Sequence, residues 1–171
     1  KNIGLKQSLG SNVIILDPSA EILGNILEPI ARQLVDGSVG IVGPYGLSTN
    51  DLRHFHEDVE SGEADAMQAY CMAFRRETGS TVGLMRECFR FYRNLDIDYC
   101  FQFKDKGYRI LADDTLPMVR HEHRQWTELE ENQRDELSRK NFGRFLKRWG
   151  NRPDLLVNPG GRGVGDAFFH H

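Results

Sequence analysis

The 171-residue sequence predicts an α/β fold, with a mixed, mainly parallel sheet and flanking helices. Residues 12–17 (NVIILD) and 39–43 (VGIVG) are short, continuous apolar runs, as expected for strands buried on both faces. Between them, apolar residues recur at helical spacing from Ile22 to Leu34. A strand, a helix and a strand in this order imply a right-handed crossover between parallel strands.

The composition is typical of a globular domain, with 39% hydrophobic and 27% charged residues. No apolar run approaches the roughly 20 residues of a membrane-spanning helix. The net charge of −3 argues against general nucleic-acid binding, which needs a surplus of Lys and Arg. Cys71, Cys88 and Cys100 are odd in number and lack C-x-x-C spacing, which indicates reduced thiols in a cytoplasmic protein.

The remaining elements follow from local pattern. A helix-like lead precedes the first strand, and the middle of the chain contains an extended segment. Two later runs are typical of strands, and a long helix follows, capped by Thr127 with Glu130 three residues on. In chain order these segments are 2–9, 64–77, 108–114, 116–123 and 127–150. We expect one domain over residues 1–157 and a flexible, Gly-rich tail over 158–171, including the remains of a purification tag.

The sequence of residues 94–106 predicts a further helix. Two of its acids, Asp96 and Asp98, lie on opposite sides of this helix. At about 100° per residue, Asp96 falls within the apolar arc, between Phe103 and Cys100, whereas Asp98 falls on the opposite side, where a solvated charge costs little. A carboxylate on a buried stripe needs a partner, a metal or a catalytic use. The simplest interpretation is that Asp96 caps free N–H groups at the helix start.

Asp17 stands where the first strand ends. Ligands of open α/β sheets bind at the carboxyl ends of strands, and hard cations prefer carboxylate oxygen. The alternative is an Asx-turn between Asp17 and Ser19.

The segment 119–126 (VRHEHRQW) carries His121 and His123, which would share one face of a strand and could bind a metal. Some arginines are candidates for clamping phosphates, although ordinary ion pairs are the alternative. They are Arg75, Arg76, Arg120 and Arg124.

The order of these stretches resembles that of the family 2 glycosyltransferases, which have the GT-A fold. Residues 1–19 (KNIGLKQSLGSNVIILDPS) are similar to their helix, glycine and apolar strand ending in the acidic metal-binding motif. VGIVGP and DAMQAYCMAFRRE are similar to the next strand and the acceptor-side segment. Residues 95–110 (LDIDYCFQFKDKGYRI) resemble the pattern E-D-x-D-hydrophobic-x-x-R-x-x-x-G-Y/F, and VRHEH resembles a later strand with a metal-associated histidine. The resemblance covers about residues 1–125.

This resemblance implies a partial GT-A, Rossmann-like fold: the carboxyl-terminal portion of a catalytic domain, without the usual amino-terminal nucleotide-binding elements. It implies an inverting, metal-assisted glycosyltransferase that uses Mg²⁺ or Mn²⁺. By position, Asp17 and His121 would bind the metal and Asp96 would be the general base. Two residues depart from the family pattern, because Ser19 replaces the second acid of Asp-x-Asp and Leu95 replaces the Glu before the base.

The expected partners are a nucleotide-sugar donor and a glycan, lipid or small-molecule acceptor. We expect a cytoplasmic protein with no nucleic-acid partner, and homodimerisation and peripheral membrane association are further hypotheses. Donor- or acceptor-binding roles are expected for a set of polar residues: Ser19, Arg75, Arg76, Asp98, His123 and Arg124.

Two other functions stay open. A catalytically silent GT-A-like binding or assembly module would explain Ser19 and Leu95. A small metal-dependent hydrolase could be built on Asp17, His121 and His123.

Overall fold

A computed structural model describes residues 1–92 and 94–158. The helices are α1 (Asn2–Gln7), α2 (Leu27–Gln33), α3 (Arg76–Val82), α4 (Leu95–Asp105), α5 (Arg124–Thr127) and α6 (Glu131–Trp149). The strands are β1 (Asn12–Leu16), β2 (Ala20–Ile22), β3 (Val39–Gly43), β4 (Gly46–Ser48), β5 (His56–Val59), β6 (Ser61–Ala64), β7 (Ala66–Met67), β8 (Cys71–Arg75), β9 (Arg109–Asp113) and β10 (Met118–Arg120). Short 3₁₀ turns occur at Arg90–Tyr92 and Pro153–Leu155.

The central sheet has the strand order β1-β8-β3-β9-β6. Its β3–β9 pair is parallel, and the β1–β8, β8–β3 and β9–β6 pairs are antiparallel. The prediction of a mainly parallel sheet is therefore wrong. The first and second predicted strands, β1 and β3, do run in the same direction, but β8 lies between them and runs opposite to both. Smaller antiparallel sheets pair β10 with β2, and β4 with β5 and β7.

The predicted helix between β1 and β3 is shorter than its apolar spacing suggested. Its first residue, Ile22, is instead the last residue of β2, and α2 begins at Leu27. Asn25 then sets the start of α2, because its Oδ1 accepts hydrogen bonds from the N–H groups of Leu27 and Glu28.

The two predicted strands differ in burial. β3 is buried along its whole length, as predicted, whereas β1 lies at the edge of the sheet and is partly exposed. A Cβ atom at Gly43 would lie 2.3 Å from the carbonyl oxygen of Cys71, so β3 and β8 can approach this closely only because position 43 is glycine.

Two apolar cores cover the faces of the sheet, since alternate side chains of a strand point in opposite directions. On β8, Met72 and Phe74 pack with α4 and α6, while Cys71 and Ala73 pack with the apolar side chains of α2. The α4–α6 core is rich in aromatic residues: Phe74, Tyr99, Phe101, Phe103, Phe145 and Trp149.

The carboxyl-terminal part follows the predictions with shifted boundaries. The long helix predicted from Thr127 begins at Glu131 as α6, after the short α5, and its capping box joins Glu130 and Gln133 instead of Thr127 and Glu130. The strand predicted to include both histidines ends at Arg120. No helix in the described part of the chain is long and apolar enough to cross a membrane. Apart from Asn158, the predicted tail lies outside the described residues.

Candidate functional site

Two clefts meet where β1 ends, and Asp17 and His123 line both. The first, here the Asp96 cleft, has a volume of about 260 Å³. It is lined by Asp17, Leu47, Phe55, Glu57, Gln68, Ala69, Tyr70, Phe91, Asn94, Asp96, Ile97, His123 and Trp126. The second, here the Arg124 cleft, has a volume of about 320 Å³. It is lined by Asp17, Pro18, Ser19, His121, Glu122, His123, Arg124 and Gln125.

The end of β1 fixes Asp17 in this position. The backbone N–H of Asp17 donates to the carbonyl of Tyr70 at 3.1 Å, which extends the pairing of β1 with β8. Its side chain is 8% exposed, and its Oδ1 accepts the N–H of Ser19 at 2.8 Å. The Asx-turn considered from the sequence is therefore present, and it orients a nearly buried carboxylate.

His123 lies beside Asp17. Its Nδ1 is 3.5 Å from Asp17 Oδ1 and 3.3 Å from Ser19 Oγ. Its ring packs on that of Tyr70, with centroids 4.7 Å apart. The ring contact and the two polar neighbours together hold the imidazole at the junction of the clefts.

His121 takes a different direction, although it also lines the Arg124 cleft. Its Nε2 is 2.7 Å from Glu21 Oε2, and both side chains are more than half exposed. The same-face argument for His121 and His123 needed β10 to continue through both residues, and β10 ends at Arg120. The structure thus brings His123, and not His121, into contact with Asp17.

The arrangement of Asp17 and His123 fits two ligands of one divalent cation. With bonds of about 2.1 Å, neighbouring ligand atoms of an octahedral ion lie about 3 Å apart, close to the 3.5 Å observed. Within residues 1–92 and 94–158, no group of three His, Cys, Asp or Glu side chains could hold a metal. Such a site suits an ion that takes its other ligands from phosphate and water, as Mg²⁺ does.

Asp96 is half-buried on the wall of its cleft. Its Oδ1 accepts the N–H of Ile97 at 2.9 Å, and its Oδ2 accepts the N–H of Ala69 at 3.0 Å. The first bond uses a free N–H of the α4 start, as the capping interpretation expected. The second ties α4 to the loop before β8. Each carboxylate oxygen has a second lone pair with which to accept a hydrogen bond from a ligand hydroxyl.

The same three-residue loop, between β7 and β8, therefore places both acids. Ala69 donates its N–H to Asp96, and the carbonyl of Tyr70 accepts the N–H of Asp17. The relative position of the two carboxylates depends on this short backbone connection.

Asp98 contradicts the prediction that it would be solvated and would contact donor or acceptor. Its side chain is fully buried. Arg86 forms a bidentate ion pair with it, through Nε at 3.0 Å and through Nη2. Trp149 Nε1 donates to its Oδ1 at 2.8 Å, and Gln102 Nε2 donates at 3.4 Å. The hydrogen bond to Asp98, together with the attraction of its negative charge, holds the pKa of the Arg86 guanidinium above its usual range.

Arg75 and Arg76 lie away from both clefts, contrary to the prediction that they contact donor or acceptor. They stand at the far end of β8, about 14 Å from Cys71 at roughly 3.4 Å per residue. Arg75 Nη2 donates to the carbonyls of Gly37 and Val39, and Arg76 Nε donates to that of Gly10. Arg124 does line its cleft and is exposed.

At the Asp96 cleft, Arg120 forms the ordinary ion pair considered from the sequence, with Glu57, and also binds Gln68, and the sequence singled out neither of these two partners. Arg120 donates to Glu57 Oε2 at 2.7 Å and to Gln68 Oε1, and its guanidinium lies 5.6 Å from the Tyr70 ring centroid. Gln68 Nε2 donates to Glu57 Oε1 at 2.7 Å. The Gln68 bond and then Arg120 hold the pKa of Glu57 below its usual range. No spacing in the sequence links residues 57, 68 and 120.

No protein-family model and no curated protein matches the sequence. Among solved structures, the chain is similar to the crystal structure of GalNAc-T7 with UDP, GalNAc and Mn²⁺. The TM-score is 0.66 at 15% sequence identity, over 98% of this chain and 40% of that one. GalNAc-T7 is a GT-A glycosyltransferase. The likeness shows that the fold resembles GT-A, as the sequence predicted, and membership of family 2 is not established. This chain spans about 40% of the length of that structure.

Proposed function

We propose that this chain carries the metal-binding and acceptor-side part of a glycosyltransferase. The reaction would transfer a sugar from a nucleotide-diphospho-sugar to an acceptor hydroxyl. The observation that carries the proposal is the position of Asp17 and His123 at the junction of two clefts, with Asp96 on the wall of one. A transferase needs such a junction, because the donor and the acceptor must meet at one carbon.

In this proposal Asp17 and His123 hold Mn²⁺ or Mg²⁺. When bound, the ion supplies positive charge that stabilises the departing nucleoside diphosphate. The Arg124 cleft takes the diphosphate, with the Arg124 guanidinium as a second source of positive charge. His121 stays with Glu21 at the edge of this cleft.

Asp96 accepts the proton of the acceptor hydroxyl. The N–H groups of Ile97 and Ala69 fix its orientation before the acceptor arrives, so no reorganisation is needed at the reaction step. Direct attack by the deprotonated oxygen on the anomeric carbon then breaks the bond to the diphosphate and inverts the configuration. Inversion is part of the proposal, and the anomeric configuration of the product tests it.

A catalytically silent binding module is the second candidate. The observation in its favour is the small number of metal ligands. Among the described residues, the junction provides two side-chain ligands, Asp17 and His123, and Ser19 Oγ lies where the family pattern has a second acid. A module of this kind would bind a nucleotide or glycan without turnover. The metal-dependent hydrolase is not supported, because His121 pairs with Glu21 instead of joining Asp17 and His123.

The test is calorimetric titration with UDP and with GDP, in the presence and absence of Mn²⁺. We expect one nucleotide to bind only with Mn²⁺, and Mn²⁺ alone to bind weakly, because the diphosphate supplies the missing ligands. Asp17→Ala and His123→Ala should weaken this joint binding by well over tenfold. His121→Ala is the matched control for His123→Ala and should leave it nearly unchanged.

Asp135→Asn, an exposed acid on α6, controls for the loss of one negative charge. Nucleotide binding that is independent of Mn²⁺, or that depends on His121 more than on His123, would contradict the assignment. The absence of binding in every condition would show that this chain alone does not form a donor site.

A further inference from the structure

Two aromatic rings form one wall of the Asp96 cleft. Phe91, in the 3₁₀ turn Arg90–Tyr92, and Trp126, in α5, have ring centroids 5.6 Å apart and are inclined at 49°. Both side chains are half-buried. They come from distant parts of the chain, and Tyr70 and Phe55 add further rings to the same cleft.

The backbone beside this wall is strained. Phe91 has φ = 54° and Asn94 has φ = 62°, in the left-handed region that side chains with a Cβ rarely adopt. Leu52 is the other non-glycine residue of the described chain with a positive φ. Such conformations persist where surrounding contacts hold them, and they concentrate at ligand sites.

Polar groups in fixed positions line the same cleft. Asp96 is held by two backbone N–H groups. Gln68 and Glu57 are hydrogen-bonded to each other and to Arg120. The cleft therefore combines flat apolar faces with hydrogen-bonding groups that need little reordering when a ligand binds.

We propose that the acceptor of the transferase is a carbohydrate, whose pyranose ring packs against Phe91 and Trp126. This inference rests on the proposed function. A pyranose has an apolar face of C–H groups and a rim of hydroxyls, and therefore needs both kinds of surface found here. Asp96 accepts a hydrogen bond from the hydroxyl that receives the sugar, and Gln68 and Glu57 bind others. The volume of about 260 Å³ is large enough for one sugar unit.

The lining favours a neutral sugar over the other expected acceptors. A lipid tail would cover the carboxylates of Asp96 and Glu57 and has no hydroxyl to donate to their remaining lone pairs. Of the three acids that line the cleft, Glu57 is already paired with Arg120, and Asp17 lies beside His123. A hydroxyl-bearing peptide is the competing class of acceptor, and the experiment includes it.

The chain offers a built-in spectroscopic test because it has two tryptophans, Trp126 in the cleft and Trp149 in the core at 2% exposure. The protein is labelled with 5-fluorotryptophan, and its ¹⁹F spectrum is followed during titration with methyl glycosides of neutral hexoses. Each titration is run with and without UDP and Mn²⁺. We expect the Trp126 resonance to shift with a millimolar Kd while the Trp149 resonance stays in place. Trp126→Phe assigns the signals.

Phe91→Asn tests the second ring without disturbing the backbone, since asparagine tolerates the left-handed conformation. It should weaken sugar binding about tenfold at an unchanged urea midpoint. Phe142→Leu removes a half-buried ring of α6 that does not line the cleft, and should leave binding unchanged.

The inference is overturned if no hexoside shifts the Trp126 resonance in either condition, or if a neutral serine-containing peptide shifts it and the sugars do not. Equal losses in Phe91→Asn and Phe142→Leu would also overturn it. The outcome is separable from that of the proposed function. Mn²⁺-dependent UDP binding without a sugar response leaves the transferase proposal standing, and a sugar response without UDP binding leaves a carbohydrate-binding cleft.

Discussion

Asp96 and Asp98 lie two residues apart on α4 and have opposite environments. Asp96 is half-buried at a cleft, and backbone N–H groups hold its carboxylate. Asp98 has no exposed surface, and a charged side chain, Arg86, compensates it from another segment. The difference separates two uses of a carboxylate. One is oriented and can still be reached by a ligand, and the other joins α4 to α6 and to the segment that carries Arg86.

The largest effect is expected for Asp98. Asp98→Leu leaves Arg86 and Trp149 Nε1 without their acceptor, so the free energy of unfolding should fall by about 3 kcal/mol or more. Urea denaturation measures it. The double variant Arg86→Met/Asp98→Leu should be more stable than Asp98→Leu alone, because no uncompensated cation remains. A double variant less stable than the single one would show that Arg86 stabilises the fold by other contacts.

Asp96→Asn should separate function from stability. Turnover should fall by about 10²–10⁴-fold, because the amide cannot accept the proton, while Mn²⁺-dependent UDP binding persists. In the variant the amide NH₂ group would face the N–H of either Ala69 or Ile97, and one hydrogen bond is lost. The free energy of unfolding should therefore fall by only about 1 kcal/mol. Initial rates, calorimetry and urea denaturation are compared on one preparation. Undiminished turnover would mean that Asp96 is not the base.

The interior of α4 predicts a loss of stability at alkaline pH. Burial raises the pKa of the Cys100 thiol above its usual 9.0, with smaller contributions in the same direction from Asp96 and Asp98, and it raises the pKa of Tyr99 to about 12. Both groups stay neutral in the folded protein. Their contribution to the free energy of unfolding is fully present below the pKa that each group has in the unfolded chain. It is lost as the pH rises from that value through the higher pKa of the folded protein.

For Cys100 the loss should begin near pH 9, at about 1.4 kcal/mol per pH unit. Urea midpoints at pH 7 and pH 10 provide the measurement. Cys100→Ala removes one of the two groups and should flatten the profile between these values. An unchanged slope in Cys100→Ala would assign the loss to other groups.

The smallest effect is expected for Asp105 at the end of the same helix. It pairs with Arg152 at 2.9 Å, but both side chains are more than one-third exposed, and Arg152 also pairs with Asp154. Asp105→Asn should change the free energy of unfolding by less than about 0.5 kcal/mol, and salt should abolish the change. A loss comparable to that of Asp98→Leu would contradict the link between burial and effect.

The contrast between Asp96 and Asp98 also shows where sequence reasoning stops. Helical spacing located α4 between Asn94 and Gly107, whose φ of 88° ends the helix. The same spacing placed Asp98 in solvent, because a helix with one apolar arc was assumed to have one buried face. In the structure Trp149, 51 residues away along the chain, covers the second face. A contact of that range leaves no mark on local periodicity.

Other outcomes have comparable causes. The buried run of β3 was found because its apolar residues are consecutive, whereas the antiparallel course of β8 depends on pairing between distant segments. Asp17 was singled out from its place at a strand end, and it lines both clefts. His123, and not His121, lies beside Asp17 because β10 ends at Arg120. The alternation of apolar and polar residues does not determine where a strand ends. Arg75 and Arg76 were assigned by motif, and the length of β8 carries them away from the clefts.

The place of β8 between β1 and β3 also bears on how the chain folds during synthesis. Residues 12–16 emerge from the ribosome well before residues 71–75, with which they pair. At about 5–20 residues per second, β1 waits several seconds for its partner, with apolar side chains exposed in the meantime. The hydrogen bond from Asp17 to Tyr70 extends the pairing of β1 with β8, so we expect Asp17 to reach its position only when these strands pair. We therefore expect refolding to be slow, because the strand order requires pairing between distant segments.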